Sequence, residues 1–434
     1  MNPSNRSAQQ AGTLDESFAD AGIFRLSLPA PGPETLLAGI KADNTSTRLY
    51  FAGQARSEVT QRPYVLGCLT TDGQLDPSFA KEGIASGFFA GSRESMGHSI
   101  TLTNDSKILL AGTVGARDPA LARFSSEGVL DTGFGDKGYV ILPVPASAGE
   151  EAVVESVDSE HASSGNIVPL DDGKILVVKT YVISHLADIR SFVYLLNNDG
   201  SLDTSFNQKG YVEVIHPDAA PREVKLHSGL IDQDGKIVVC GQLAPRSGLS
   251  TALFARFTRD GKLDPDFGKG GFVMVSLVDS ATLESIIQQP NNRLLGIGKT
   301  DKPEGLLISL EPDGTANIQF NRGQPLLTRL DNAPTYWQSG VMQPDGKIVL
   351  IGKYQLPDNN LPAVVARLLS DGTFDPAFAD VGWVGTRVDG TTTFRDVALQ
   401  TDGKIVVAGE RFNSDVQGLV LRFHGRNQAD VAPR

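Results

Sequence analysis

The chain has 434 residues and a formal charge of −12, with 46 Gly, 24 Pro and two Cys. That charge, with basic residues spread along the chain and no block of five or more like charges, argues against a nucleic-acid or anionic-membrane surface. The Gly and Pro content suits a turn-rich all-β protein and is too low for disorder by composition.

Residues 1–12 are polar and are expected to be a disordered leader, as are residues 426–434 a C-terminal tail. The start, Met1-Asn2-Pro3-Ser4-Asn5-Arg6-Ser7, has no apolar signal-peptide core, and no run approaches membrane-spanning length. The expectation is a cytoplasmic protein, or one exported by a route without a Sec signal, acting as a monomer.

From Leu14 onward one template recurs with drift. Its first marker is a corner, Leu14-Asp15-Glu16-Ser17-Phe18, followed by a short strand from Gly22. Later corners are Leu75 to Phe79, Leu130 to Phe134, Leu202 to Phe206, Leu263 to Phe267, a decayed Ala316 to Phe320, and Phe374 to Phe378. Their Asp or Asn residues stand at 15, 76, 131, 203, 264, 317 and 375, a period of roughly 60 residues. The second marker is an Asp-Gly-Lys turn feeding a β-branched strand, as in Asp234-Gly235-Lys236-Ile237-Val238-Val239, because Gly supplies the positive φ such a turn needs. Both markers count to seven. A unit therefore holds four short antiparallel strands, and units that cannot bury their own apolar faces must stack.

The run Ala398-Leu399-Gln400-Thr401-Asp402-Gly403-Lys404-Ile405-Val406-Val407-Ala408-Gly409, with Leu-Asp-x-Ser-Phe corners and Ala-Arg-Phe strands, resembles the bacterial delta-60 repeat family. The resemblance covers about residues 14–424. It implies a β-propeller and carries no activity, cofactor or catalytic residue, since that family is defined by its repeat. The expected fold is an all-β, seven-bladed propeller over residues 13–425. Either Gly22 to Leu28 supplies the fourth strand of the last blade, or the seventh blade is contiguous. A clasp of the first kind would hide free edges. The fifth unit departs most, with Asn291-Asn292-Arg293 in place of Asp-Gly-Lys and its corner lost.

A ring of corner aspartates suggests metal or catalysis, yet a residue present in nearly every unit more simply accepts backbone N–H bonds in its turn. Arg123, Arg256, Arg367 and Arg422 each precede such a corner, and the decayed unit changes both partners, to Ser309 and Asn317. That points to an Arg–Asp pair joining strand to corner. Cys68 and Leu195 dissent. Asp232-Gln233-Asp234-Gly235 and Asp171-Asp172-Gly173 lack the twelve-residue calcium-loop spacing. The six His show no metal spacing, and no nucleophile elbow or phosphate loop is present, so no catalytic residue, metal or cofactor is assigned. Cys68 and Cys240 read as separate buried thiols.

What differs between repeats marks the candidate site. Seven residues before the turn Asp stand Leu36, His98, Gly165, His227, Glu284, Gln338 and Arg395, followed mostly by Ser, Asn or Asp. On an innermost strand these crowd the channel mouth. His98, His227, Glu284, Gln338 and Arg395, with Trp337 beside them, form an expected ligand ring whose His227→Ala and Arg395→Ala variants fold normally. The third unit is longest, with insertions at Pro143 to Gly165 and Thr180 to Arg190, the first of them acidic. The leading function is non-enzymatic binding of a protein, peptide or glycan; the alternative is a hydrolase or lyase using His98, His227 and Glu284 as acid and base.

Overall fold

The computed structural model describes residues 10–28, 34–56, 62–91, 94–115, 118–145, 153–154, 167–183, 188–217, 223–245, 247–358 and 360–426. Where Asp-Gly punctuates the sequence the chain reverses, with Gly235 at φ 74° and Gly261 at φ 82°. Between turns the β-branched runs pair into seven antiparallel sheets, each a blade. The innermost strands are Glu34–Ala42, Ser95–Leu102, Val224–Ile231, Ala281–Gln288, Thr335–Met342 and Thr391–Leu399 in blades 1, 2, 4, 5, 6 and 7. In blade 3 two short pieces, Val153–Val154 and Ile167–Pro169, share that place on the second strand, Ile175–Ile183. First strands of neighbouring blades converge on the axis, and seven apolar clusters each join two adjacent blades. A blade is therefore stabilised by its neighbours and not by itself.

The ring closes through the chain's own start. Ile23–Arg25 pairs antiparallel with Val416–Phe423, Phe24 opposite Val420, as the outer strand of blade 7. The expected polar leader lies mostly outside the described residues. Its last three are ordered against the ring: Ala11 is fully buried and its carbonyl accepts from Ala379 N–H, while Gly12 N–H donates to His424 O. Residues 427–434 and most of Pro143 to Gly165 also lie outside the described residues. The Thr180 to Arg190 insertion lengthens the hairpin between Ile175–Ile183 and Asp188–Leu196.

Blade 5 corrects one expectation: its corner survives the change of residues. Phe320 is buried, Asn317 Nδ2 donates to Ser309 Oγ at 3.0 Å, and Asn317 Oδ1 accepts from Gln319 N–H. Asn291 and Asn292, at φ 62° and 60°, take the left-handed turn that Gly takes elsewhere. Among the described residues no helix is long and apolar enough to cross a membrane.

The corners work as blade-to-blade locks. Arg123, Arg256, Arg367 and Arg422 donate through Nε to Asp131, Asp264, Asp375 and Asp15 at 2.7–2.8 Å. Each guanidinium lies over the corner Phe of its own unit. Each Nη1 donates to a backbone carbonyl of the next blade: Asn198, Pro312, Gly425 and Thr71. The turn lysine meets the same carboxylate, Lys236 on Asp264 at 2.6 Å and Lys404 on Asp15 at 2.9 Å. Where the strand arginine is absent, at Cys68 and Leu195, the turn cation meets the corner carboxylate, Arg48 on Asp76 and Lys174 on Asp203, and Arg48 Nη1 also donates to Ser126 O of blade 2 at 3.3 Å. Both cysteines are free and buried.

Candidate functional site

In six blades the innermost strand carries one residue more than its partner, a β-bulge between 37 and 39, 97 and 99, 226 and 228, 283 and 285, 337 and 339, and 394 and 396. A bulge leaves its extra residue outside the ladder and re-aims that side chain. The extra residues are Ala38, His98, His227, Glu284, Gln338 and Arg395, so five of the ring residues expected from sequence occupy one structural position. Gly165 lies outside the described residues. Leu36 does not belong to the ring: Asp43 begins its turn immediately after the strand, two places earlier than Asp234 does, and Ala38 is the equivalent.

The bulge dictates what faces it. On the second strand stand Gly53, Gly112, Gly241, Gly298, Gly352 and Gly409, where an added Cβ would lie 1.9 to 2.1 Å from a carbonyl oxygen of the bulged strand. Only a residue without a side chain fits beneath that carbonyl. In blade 3 the same register position is Lys179, opposite Phe192 as Gly241 is opposite Leu253.

In two blades the residue after the bulge is a strut. Asp396 Oδ2 accepts Ile40 N–H at 2.9 Å, tying blade 7 to blade 1, and Ser228 Oγ accepts Ile286 N–H at 3.4 Å, tying blade 4 to blade 5. Asp396 and Ser228 thus tie inner strands of adjacent blades together, whereas Ser99 Oγ in blade 2 is buried and makes no hydrogen bond among the described residues.

The bulge residues meet side chains that follow the second-strand glycines. Arg395 holds Glu410 with Nη2 at 2.7 Å and Nε at 3.0 Å. Glu284 lies 3.2 Å from Lys299 and 3.9 Å from His227 Nδ1 of the preceding blade. His98 Nε2 lies 3.2 Å from Thr113 Oγ1. Burial raises the Glu410 pKa, opposed by the Arg395 charge, and burial with the nearby Lys179 charge keeps His98 neutral, well below the usual imidazole range. Burial lowers Lys179 to about 8. Gln338 is half-buried.

Trp337 is elsewhere. It is fully buried in the core between blades 5 and 6, its indole N–H donating to Thr328 Oγ1 at 2.8 Å and its ring lying where a Cβ on Gly305 would be. Its neighbourhood in sequence to Gln338 reflects the alternation of a strand, which sends successive side chains to opposite faces. Arg395 is half of a buried ion pair, so its removal strands Glu410 and does not leave folding untouched. Lys179, Lys299, Thr113 and Glu410 are the members that sequence spacing missed. Their signal is the position at or just after the second-strand glycine.

At the same end of the channel, between blades 7 and 1, a cleft of about 190 Å³ is lined by Glu34, Thr35, Leu36, Gln54, Arg56, Glu410, Phe412 and Val416. Phe412 is 58% exposed there. Among the described residues no cluster of His, Cys, Asp and Glu has the geometry of a metal site.

Residues 103–134, 233–267, 343–378 and 400–424 match the family described as a domain of unknown function (DUF5122) beta-propeller. The first three stretches are the turn-to-corner parts of blades 2, 4 and 6, and the fourth runs from the turn to the last strand of blade 7; these are the blades with the Arg–Asp lock. The match supports a β-propeller repeat family, the class that the seven blades define. No curated protein matches the chain. Among solved structures, a polysaccharide lyase of family PL25, an ulvan lyase bound to -[GlcA(1-4)Rha3S]-, is similar at 11% identity and a TM-score of 0.50, over 79% of this chain and 84% of that one. A protein of unknown function from Dyadobacter fermentans is 10% identical over 93% and 99% of the two chains, TM-score 0.44. The beta-propeller domain of the Trilobed protease from Pyrococcus furiosus is 10% identical over 92% and 98%, TM-score 0.45. At these identities the likeness is one of fold alone.

Proposed function

We propose that the protein is a non-enzymatic binding protein that takes a glycan or the tip of a peptide at the bulge end of its channel. The observation that carries this reading is the cleft between blades 7 and 1. Phe412 offers a ring face on one wall, and Arg56 and Glu34 offer charge on the other. Gln54 is buried and its Oε1 makes no hydrogen bond among the described residues, which leaves an acceptor for a ligand hydroxyl or amide. The corner aspartates, turn lysines and strand arginines are committed to the fold, so the mouth is where the blades differ. The period and the Asp-Gly-Lys and Leu-Asp-x-x-Phe motifs support assigning the repeat to the bacterial delta-60 type. This reading requires no metal, cofactor or second subunit.

Acid and base work by His98, His227 and Glu284 is disfavoured by their enclosure, His227 Nε2 and Glu284 Oε1 being shut off from solvent by protein. The test is a thermal-shift screen of the purified protein against glycans and peptides, since a ligand of the native state raises the melting temperature by mass action. A hit is expected to lose its shift in Phe412→Ala, an exposed substitution with little effect on stability. A full shift in that variant would overturn the cleft as the site.

A further inference from the structure

Blade 1 leaves open a contact that five other blades close. The residue after the second-strand glycine meets a side chain of an inner strand: Thr113 meets His98, Gln242 meets Thr282, Lys299 meets Glu284, and Glu410 meets Arg395. Lys353 lies over the Tyr336 ring. In blade 1 the residue after Gly53 is Gln54, and the bulge residue is Ala38, a methyl group with nothing to donate. Gln54 is 3% exposed and its Oε1 has no hydrogen-bond partner. A buried acceptor without a donor weakens the fold that holds it. This one lines the cleft between blades 7 and 1.

The rest of the lining sorts by charge. It brings two carboxylates, Glu34 and Glu410, against one cation, Arg56. Glu410 is taken up by Arg395 at 2.7 and 3.0 Å. Glu34 Oε2 lies 4.0 Å from Arg56 Nη1, beyond hydrogen-bond length. Acceptors therefore outnumber donors, and an anionic ligand would meet two carboxylates for one guanidinium. From blade 7 the exposed Phe412 adds a ring face, which attracts a cation as well as apolar carbon. At about 190 Å³ the cleft is smaller than the roughly 300 Å³ at which sites for drug-sized ligands begin, so it takes one sugar ring and not a longer chain.

We propose that the cleft between blades 7 and 1 selects an amino sugar with a free ammonium group. The ammonium, with three donors and no lone pair, supplies Gln54 Oε1 with its missing hydrogen bond and Glu34 with a counter-charge. The apolar face of the sugar ring lies against Phe412. The sugar hydroxyls both donate and accept, so they serve Arg56 as well as the carboxylates. A lysine side chain carries the same ammonium but no acceptor for Arg56, which is why the sugar is favoured over a peptide. The inference rests on the reading of this cleft as the ligand site and adds the charge and class of what it holds.

The test titrates the full-length protein with glucosamine, glucose, N-acetylglucosamine, glucuronate and Nα-acetyl-lysine amide at matched ionic strength, reading the melting temperature. Glucosamine is expected to raise it at a concentration at least tenfold lower than any of the others. Glu34→Gln is expected to bring glucosamine level with glucose. Gln54→Leu removes the stranded acceptor, so it is expected to raise the melting temperature of the unliganded protein while weakening glucosamine at least tenfold. The first effect without the second would make Gln54 a structural defect and overturn the proposal. Glucose, N-acetylglucosamine or glucuronate equal to glucosamine overturns the choice of an ammonium, and lysine amide ahead of it overturns the choice of a sugar. A Phe412-dependent ligand without an ammonium would keep the binding function and remove only this selectivity. Glucosamine shifts that survive in Phe412→Ala would remove the cleft as the site, and this inference with it.

Discussion

Arg422 Nε lies 2.8 Å from Asp15 Oδ2, joining residues 407 positions apart in the chain. Both side chains are about 4% exposed, and the same guanidinium covers Phe18 and donates to Thr71 O in blade 1. One arginine thus holds the last blade, the first corner and the first blade together. Removing one partner of a buried pair strands the other charge, at a cost of about 3–5 kcal/mol. Asp15→Ala is expected to lose that much in urea unfolding. Asp76→Ala is expected to lose less, because its partner Arg48 is partly exposed and that corner is not a closure. Equal losses would deny the clasp any special role.

The same carboxylate sets a pH dependence. Burial opposes ionisation of Asp15, but hydrogen bonds from Ser17 and Lys404 and the charges of Arg422 and Lys404 outweigh it and hold the pKa far below the usual range. A depressed folded-state pKa contributes stability that is complete above the unfolded value of about 4 and is lost as pH falls toward the folded one. Hydrogen exchange at pH 3 is therefore expected to release Ile23–Arg25 before the outer strands of the other blades. In Asp15→Asn the strand is expected to be weakly protected at pH 7 already, with little further change on acidification.

The lock is legible in the sequence because four units carry both Arg and Asp and the fifth has lost both. The lysine's share is not, since Asp-Gly-Lys already has a sufficient explanation as a turn, and Lys236 meets Asp264 only after two strands have folded back. The bulge is equally silent: one extra residue leaves the hydrophobic pattern readable on either side of it. Counting back from the turn lands on Leu36 and not Ala38 because the first blade's turn begins two places earlier. Blade 5 offers a check. Ser309→Arg with Asn317→Asp is expected to rebuild the missing lock, with each single change destabilising and a coupling of at least about 1 kcal/mol in the double-mutant cycle. Additive effects would mean the neighbouring carbonyl of blade 6 is out of reach.

Trp337 separates a ligand role from a packing role. Its ring fills the core between blades 5 and 6 against Gly305, and its N–H is satisfied by Thr328. Trp337→Ala is expected to cost about 3–5 kcal/mol through the cavity it leaves, while any ligand found by thermal shift keeps its affinity at temperatures where the variant is folded. Loss of binding with unchanged stability would return Trp337 to the site.

The bulge geometry makes a contrasting pair of predictions. At Gly409 an added Cβ would lie 1.9 Å from Thr393 O and 2.9 Å from its carbon, both backbone atoms that no rotamer change can move. Gly409→Ala must flatten the bulge or part the two strands, either of which displaces Arg395 from Glu410 and Asp396 from Ile40 N–H. A loss of at least about 3 kcal/mol is expected, at or above the upper end for overpacking. At Lys179 the converse change restores what the other blades have. Lys179→Gly is expected to cost no more than about 1 kcal/mol, the entropic cost of glycine in a strand. Equilibrium unfolding of the two variants decides the point: a mild Gly409→Ala, or a Lys179→Gly as damaging as it, would mean that the bulge and not the glycine yields, and that the two positions are not equivalent.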